Sequence, residues 1–353
     1  MAPPASFDLY IGTYTDAGGG KGIYRSRLDP KTGALAAPVL AIAAPSPSYL
    51  ALAQDGRTLY AVHESEATVG AYTIDRKGGL RLLNVEPSRG AAPCHLAVNR
   101  AGTAVVVANY GGSLAAFPTR RDGMLGPAAT TFENSGSGPN PERQKEPHLH
   151  AAASDPSGRF VHACDLGTDE VLTFRVGAQP GELNLVSRVK APAGSGPRHF
   201  VLGRDGRFLY ANNELRPGVS AYARDPETGT LTLRTTVSSL GRLSPPAGAS
   251  TAEILLHPNG RWLYVSNRGV DTIALFKIGP DGLPTFVEMV PAGVREPRGL
   301  ALDPTGRWLV AAGQRSNTIV THRIDVKTGR LSPTGASITV GKPVDLVFVA
   351  PKA

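Results

Sequence analysis

Histidine, arginine and glutamate recur together in a few short stretches of the chain. They are Pro147-His148-Leu149-His150, Gly196-Pro197-Arg198-His199, Asn212-Asn213-Glu214, Thr251-Ala252-Glu253, Asn267-Arg268 and Pro297-Arg298. Imidazole and carboxylate groups can move protons near neutral pH. Paired guanidinium groups grip a carboxylate or a phosphate, and an arginine also stabilises a developing oxyanion. Such a set suits hydrolysis of an activated ester of an acidic molecule, or the reverse lactonisation. Neither needs a covalent nucleophile.

Other chemistries lack their motifs. There is no G-x-S-x-G elbow, no G-x-x-x-x-G-K-[ST] loop, no H-E-x-x-H and no dinucleotide fingerprint. His148 and His150 stand two apart, so in extended chain they point the same way. That is half of a metal site with no third ligand fixed by spacing, and neither a metal nor a cofactor is expected. Calcium or magnesium on Glu, Asp and Asn oxygens stays open. The two cysteines, Cys94 and Cys164, have no metal-type spacing and read as free thiols in a reducing cytoplasm.

The 353 residues carry a net charge of +8, which raises the question of nucleic acid. Adjacent basic residues occur only as the isolated pairs Arg76-Lys77 and Arg120-Arg121, and no basic stripe interleaves with aromatics, so a small anionic substrate is the expected partner. The most apolar stretch, around Leu35 to Ala44, is broken by a proline and cannot span a bilayer. The start, Met1-Ala2-Pro3-Pro4, lacks a basic region followed by an apolar core, so no secretory signal is expected.

The candidate residues must be held by repeated elements. A turn signature recurs with its glycine at Gly56, Gly102, Gly158, Gly206, Gly260 and Gly306, as in Asp155-Pro156-Ser157-Gly158-Arg159. The spacing of 46 to 56 residues is close to the length of a propeller blade. Short apolar runs flank each turn, such as Leu300-Ala301-Leu302 before and Leu309-Val310-Ala311 after. A third run alternates with period two, and a second turn family (Asp225-Pro226-Glu227-Thr228-Gly229, for example) leads to a fourth. Each unit is therefore a four-stranded antiparallel meander. The N-terminus opens mid-unit and the C-terminus ends on Val344 to Val349, which reads as a first strand. The expectation is one all-β domain over 1–353, a seven-bladed β-propeller with one blade closed by N- and C-terminal strands. A monomer is expected.

Antiparallel geometry places the loops between second and third strands, and the starts of first strands, on one face. The chemistry-bearing stretches all fall there, with five of the eight histidines: His63, His95, His148, His150 and His199. First strands line the central channel, so these groups should converge at its mouth. Asn109, Asn267 and Gln314, which follow second strands, join the candidate binding groups. The polar insertion from Glu133 to Glu146 also opens there, a candidate lid carrying Arg143 and Gln144 over the channel. A second insertion runs from about Val237 to Ser250. A non-catalytic binding platform is the alternative, but few aromatics fall on this face, mainly Tyr49 and Tyr110.

These stretches also carry a family resemblance. The run from Asn134 to His150 (N-S-G-S-G-P-N-P-E-R-Q-K-E-P-H-L-H), D-L-G-T-D at Asp165 to Asp169, G-P-R-H at Gly196 to His199, N-E at Asn213-Glu214 and S-N-R-G-V-D-T-I at Ser266 to Ile273 resemble the bacterial lactonase family of seven-bladed propellers. Its best-known type is 6-phosphogluconolactonase, and fungal carboxy-muconate lactonising enzymes are similar. The resemblance covers nearly the whole chain. It implies a cofactor-independent lactonase or lactonising enzyme. His148 would be the acid/base group, and Arg198, Glu214 and Arg268 would hold the acidic substrate and share proton transfer. His150 or His199 could take the base role instead. His95, Arg143, Asn109, Glu253, Asn267 and Gln314 complete the expected binding set. A turn-holding pair with Asp271 is the alternative use of Arg268.

Overall fold

The computed structural model describes residues 6–349. The Met1 to Pro4 segment read above lies outside them. Twenty-eight strands form seven four-stranded antiparallel sheets. One sheet takes its innermost strand, Pro343–Phe348, from the C-terminal end and its other three from the N-terminal end, with Leu9 opposite Phe348 and Ile11 opposite Leu346. The expected propeller and its mode of closure are both present.

Burial follows position within a blade. Second strands such as Thr58–His63, Ala104–Asn109 and Phe160–Asp165 are buried along their whole length. They are covered on both faces by neighbouring blades, which is why they read as continuous apolar runs. Fourth strands such as Leu183–Lys190 lie at the rim and are largely exposed. Adjacent blades are also clasped by second-strand tyrosines. The hydroxyls of Tyr10, Tyr210 and Tyr264 donate across 2.8 Å to the carbonyls of Gly78, Gly282 and Gly329, in the outer turn of the next blade.

The first-to-second turns owe their shape to a side-chain carboxylate or amide. Asp155 Oδ1 accepts the Phe160 N–H at 2.9 Å, and Asn99 Oδ1 accepts those of Thr103 and Ala104 at 2.8 and 3.0 Å. Gly158 sits at φ 73°, which a side chain there would strain.

The innermost strands are not regular at their starts. Pairing with the second strand slips between Pro93 and His95, Leu149 and Ala151, Pro197 and Phe200, Thr251 and Ile254, and Pro297 and Gly299. The residues left unpaired are Cys94, His150, Arg198 with His199, Ala252 with Glu253, and Arg298. A bulge frees a residue from the ladder and re-aims its side chain. Five bulges at one end of the disc thus deliver His150, Arg198, His199, Glu253 and Arg298 to the channel.

Candidate active site

A cavity of about 620 Å³ opens at this end of the channel. Glu214, which directly follows the second strand Phe208–Asn213, is its electrostatic centre. Its Oε1 is 2.7 Å from Arg143 Nη2, and its Oε2 is 2.9 Å from Arg198 Nε and 3.2 Å from Arg268 Nη2. Burial works to raise the Glu214 pKa, but Arg268, Arg198 and Arg143 outweigh it and hold the carboxyl at about 2. Glu214 is therefore ionised at neutral pH and has no proton to give. Three guanidinium groups on one carboxylate leave a surplus of positive charge facing the cavity.

Arg143 reaches this cluster because its loop is pinned. Gln144 is fully buried and donates to the Leu166 carbonyl and to Asp169 Oδ1, both at 2.8 Å. Asn134 donates to Asp165 Oδ2 at 2.7 Å. A Cβ on Gly167 would run into the Glu146 carbonyl, so the close approach of the two loops needs glycine. The 133–146 segment is thus a stapled wall, and Gln144 is its anchor instead of a group over the channel.

Arg268 also donates to the Thr251 carbonyl at 2.9 Å. Asp271 accepts the Glu296 N–H instead of pairing with it. On another wall Arg298 lies over the Tyr14 ring, 5.3 Å from its centroid, and among the described residues it makes no hydrogen bond or ion pair. Tyr14 and Ser48 both donate to Glu64, at 3.1 and 2.6 Å. Arg315 at the rim pairs with Glu296.

The expected binding groups separate into three sets. Arg143, Glu214, Arg268 and His150 line the cavity. Arg198, His199, Glu253 and His95 lie beneath it in the channel, where Tyr49 and His95 pack 4.2 Å apart and His95 and His150 each meet His199 at 5.1 to 5.2 Å. The amides serve the loops: Asn109 is fully buried against the Ser88 carbonyl and Ser113 Oγ, and Asn267 against Ser239 and Thr272. Gln314 is not on the cavity lining.

The two adjacent histidines differ. His148 stacks on Tyr110 at 4.2 Å, and its Nδ1 is 2.7 Å from the Tyr110 carbonyl oxygen, so this nitrogen carries the proton. The bulge at His150 breaks the strict alternation that would have pointed both rings the same way. His150 faces the cavity, and its buried Nδ1 has no hydrogen-bond partner among the described residues. Burial, then the Arg198, His199 and Arg298 groups, keep it neutral by pushing its pKa well below the usual imidazole range.

Sequence reasoning put Pro297-Arg298 and His63-Glu64 on this face but gave Arg298 and Glu64 no role in the site. The Pro-Arg pair stands in the register of Pro197-Arg198. Tyr14 comes from a loop without a signal.

Residues 8–348 match the family described as lactonase, 7-bladed beta-propeller. The chain belongs to it. A 6-phosphogluconolactonase of Bacillus subtilis is 34% identical over 345 residues, covering 96% of this chain and 97% of the relative. Among solved structures, a Bacteroides fragilis protein provisionally assigned as a 6-phosphogluconolactonase superposes with a TM-score of 0.90 at 36% identity, over 99% of both chains. The periplasmic gluconolactonase of Pseudomonas aeruginosa superposes at 0.89 and 32% identity, over 98% of this chain and 99% of its own. The seven-bladed lactonase fold is thus shared with proteins of several bacteria. Among the described residues, no helix is long and apolar enough to cross a membrane.

Proposed function

We propose that this lactonase hydrolyses 6-phosphogluconolactone to 6-phosphogluconate. The observation that carries the reading is Arg298, a cavity-facing guanidinium without an acidic partner, set opposite a carboxylate that already holds three arginines. A sugar lactone bearing a phosphate supplies the anion that such a wall would bind.

The neutral His150 imidazole takes a proton from water as the water oxygen bonds to the lactone carbonyl carbon. Arg268 and Arg143 stabilise the oxyanion that forms. Collapse breaks the ring carbon–oxygen bond, and the ring oxygen leaves with the proton from His150. Glu214 keeps the guanidinium groups in place and takes no proton. Among the described residues, no three His, Cys, Asp or Glu side chains gather as a metal-holding set. The two thiols are both buried and free, and we infer a cytoplasmic setting for the enzyme.

The test is proton release at near-neutral pH above the spontaneous background, with and without a chelator, on 6-phosphogluconolactone and on the unphosphorylated lactone. The expected result is chelator-resistant turnover with kcat/KM at least about tenfold higher for the phosphorylated substrate, the scale of one charge-assisted contact. No acceleration of either lactone would sink the reading.

A further inference from the structure

Below the cavity four side chains run head to tail along the propeller axis. Arg198 Nε donates to Glu214 at 2.9 Å, Arg198 Nη1 lies 3.1 Å from His199 Nε2, and His199 Nδ1 lies 3.0 Å from Glu253 Oε1. All four are buried. A guanidinium only donates. His199 Nε2 must therefore accept, and the ring proton sits on Nδ1, where it is donated to Glu253. Glu253 itself does not line the upper cavity. It lines a separate one of about 530 Å³ at the opposite mouth of the channel, together with Asp345, Tyr49, His95 and His199.

We propose that Glu253 is a positioning residue for the lactonase reaction, acting on the substrate cavity from the far side of the channel through His199 and Arg198. The inference rests on the reading of the upper cavity as the substrate site. With no acceptor at Nδ1, the His199 ring is free to move its proton to Nε2. That hydrogen would point at the Arg198 N–H, two donors face to face, and Arg198 would lose the support that aligns it with Glu214. The backbone reinforces the link. Arg198 with His199 and Ala252 with Glu253 occupy bulges on neighbouring first strands, and Arg198 also donates to the Ala252 carbonyl. Asn212 Oδ1 accepts the His199 N–H at 3.0 Å, and the Ile254 N–H donates to Glu253 Oε1 at 2.9 Å.

The surroundings of Glu253 make acceptance, more than charge, its essential property. Arg198 and Arg298 act on it from two neighbouring first strands, and Asp345 and Tyr49 feel it from two more, while His95 packs on the His199 ring. Burial raises its pKa to about 7 against the pull of Arg198, Ile254 N–H and Arg298. Neutral or ionised, it keeps an oxygen for His199. Glutamine should therefore replace it and leucine should not.

The experiment uses ¹⁵N-labelled full-length protein carrying Glu253→Gln or Glu253→Leu, with Glu253→Ala if leucine prevents folding. Imidazole nitrogen shifts should show Nδ1–H at His199 in the wild type and in the glutamine variant, and a change of tautomer with a displaced Arg198 Nε–H signal in the leucine variant. For 6-phosphogluconolactone, the leucine variant should raise KM about tenfold and glutamine should restore it to within about twofold. A leucine variant with unchanged tautomer, Arg198 signal or KM overturns the proposal. If the wild type opens no lactone, the proposed function fails, and the two nitrogen signals still decide whether Glu253 positions Arg198.

Discussion

Arg143 and Glu214 stand 71 residues apart in the chain and meet at 2.7 Å, the first from a surface loop and the second from the end of a buried strand. The contact joins the outer wall of the cavity to the arginine cluster at its floor. It holds only because Gln144, the next residue, is locked into the Leu166 to Asp169 loop. Gln144→Ala should therefore loosen Arg143 while leaving the other cavity-lining groups in place. The expected outcome is a fall in kcat of about five- to tenfold, of the order of one weakened charge-assisted bond to the oxyanion, with KM changed less. Steady-state kinetics on 6-phosphogluconolactone reads both terms.

Glu214→Gln leaves three guanidinium groups around a neutral amide. Removing one member of a buried ion cluster strands the others. We expect a loss of about 100-fold or more in kcat/KM, the scale of a misplaced oxyanion donor, and a lower melting temperature at pH 7. Retention of wild-type kcat/KM would show that the cluster has no part in turnover.

Arg298 has the opposite signature. Having no partner among the described residues, its removal should cost little stability, and Arg298→Ala should melt within a few degrees of the wild type. The same variant should raise KM for the phosphorylated lactone by about tenfold or more and leave KM for the unphosphorylated one within about twofold. Equal effects on both substrates would place the phosphate elsewhere.

The two histidines of Pro147 to His150 can be separated by kinetics. His150→Gln should lower kcat by about 100-fold, the range for loss of a positioned general base. His148→Gln should stay within about fivefold, because its ring is engaged by Tyr110. The reverse order would return the acid/base role to His148.

Stability should respond to pH through groups of opposite sign. Glu214 is held at about 2 in the folded protein, below its ordinary 4.5, so the stability it adds is complete above about pH 4.5 and is lost as pH falls towards 2. Burial raises Glu253 and Asp345 to about 7, from ordinary values of 4.5 and 3.8. Their contribution is present below those ordinary values and is lost as pH rises through 7. Buried histidines such as His63 and His162, held at about 4, add stability as pH rises to about 6.5, so the expected reading is a difference: from pH 5 to 8 the wild type should lose stability relative to Glu253→Gln.

The blades were legible because their turns need Asp or Asn followed by Gly at fixed offsets, and their second strands need apolar runs on both faces. The chemistry-bearing face followed from the same antiparallel count. Within that face, composition did not separate the groups that touch the cavity from those that hold its loops. Asn109 and Asn267 look like ligand-binding amides, yet each satisfies buried backbone or hydroxyl groups at the end of its second strand. Nor could alternation place His148 and His150, because a bulge between them changes the side to which the second ring turns. Five such bulges act at once, and a bulge leaves no residue pattern of its own beyond the proline that precedes some of them. Glu253 was recognisable as a buried acid on this face but not as a group beneath the cavity, for the same reason.

The closing strand has a consequence for how the protein is made. Pro343–Phe348 is the innermost strand of its blade, and Asp345 on it accepts the Leu50 N–H at 2.7 Å, stitching the neighbouring blade to it. A chain emerging from the ribosome can form the intermediate blades in order, since each is contiguous in sequence. The blade begun by Phe7–Thr13 must wait with its inner edge unpaired until residues 343–348 arrive. Until then the blade begun before the other six is the least finished of the seven, with a bare strand edge open to wrong pairings. Translation of residues 343–348 is thus the step that turns a row of sheets into a ring.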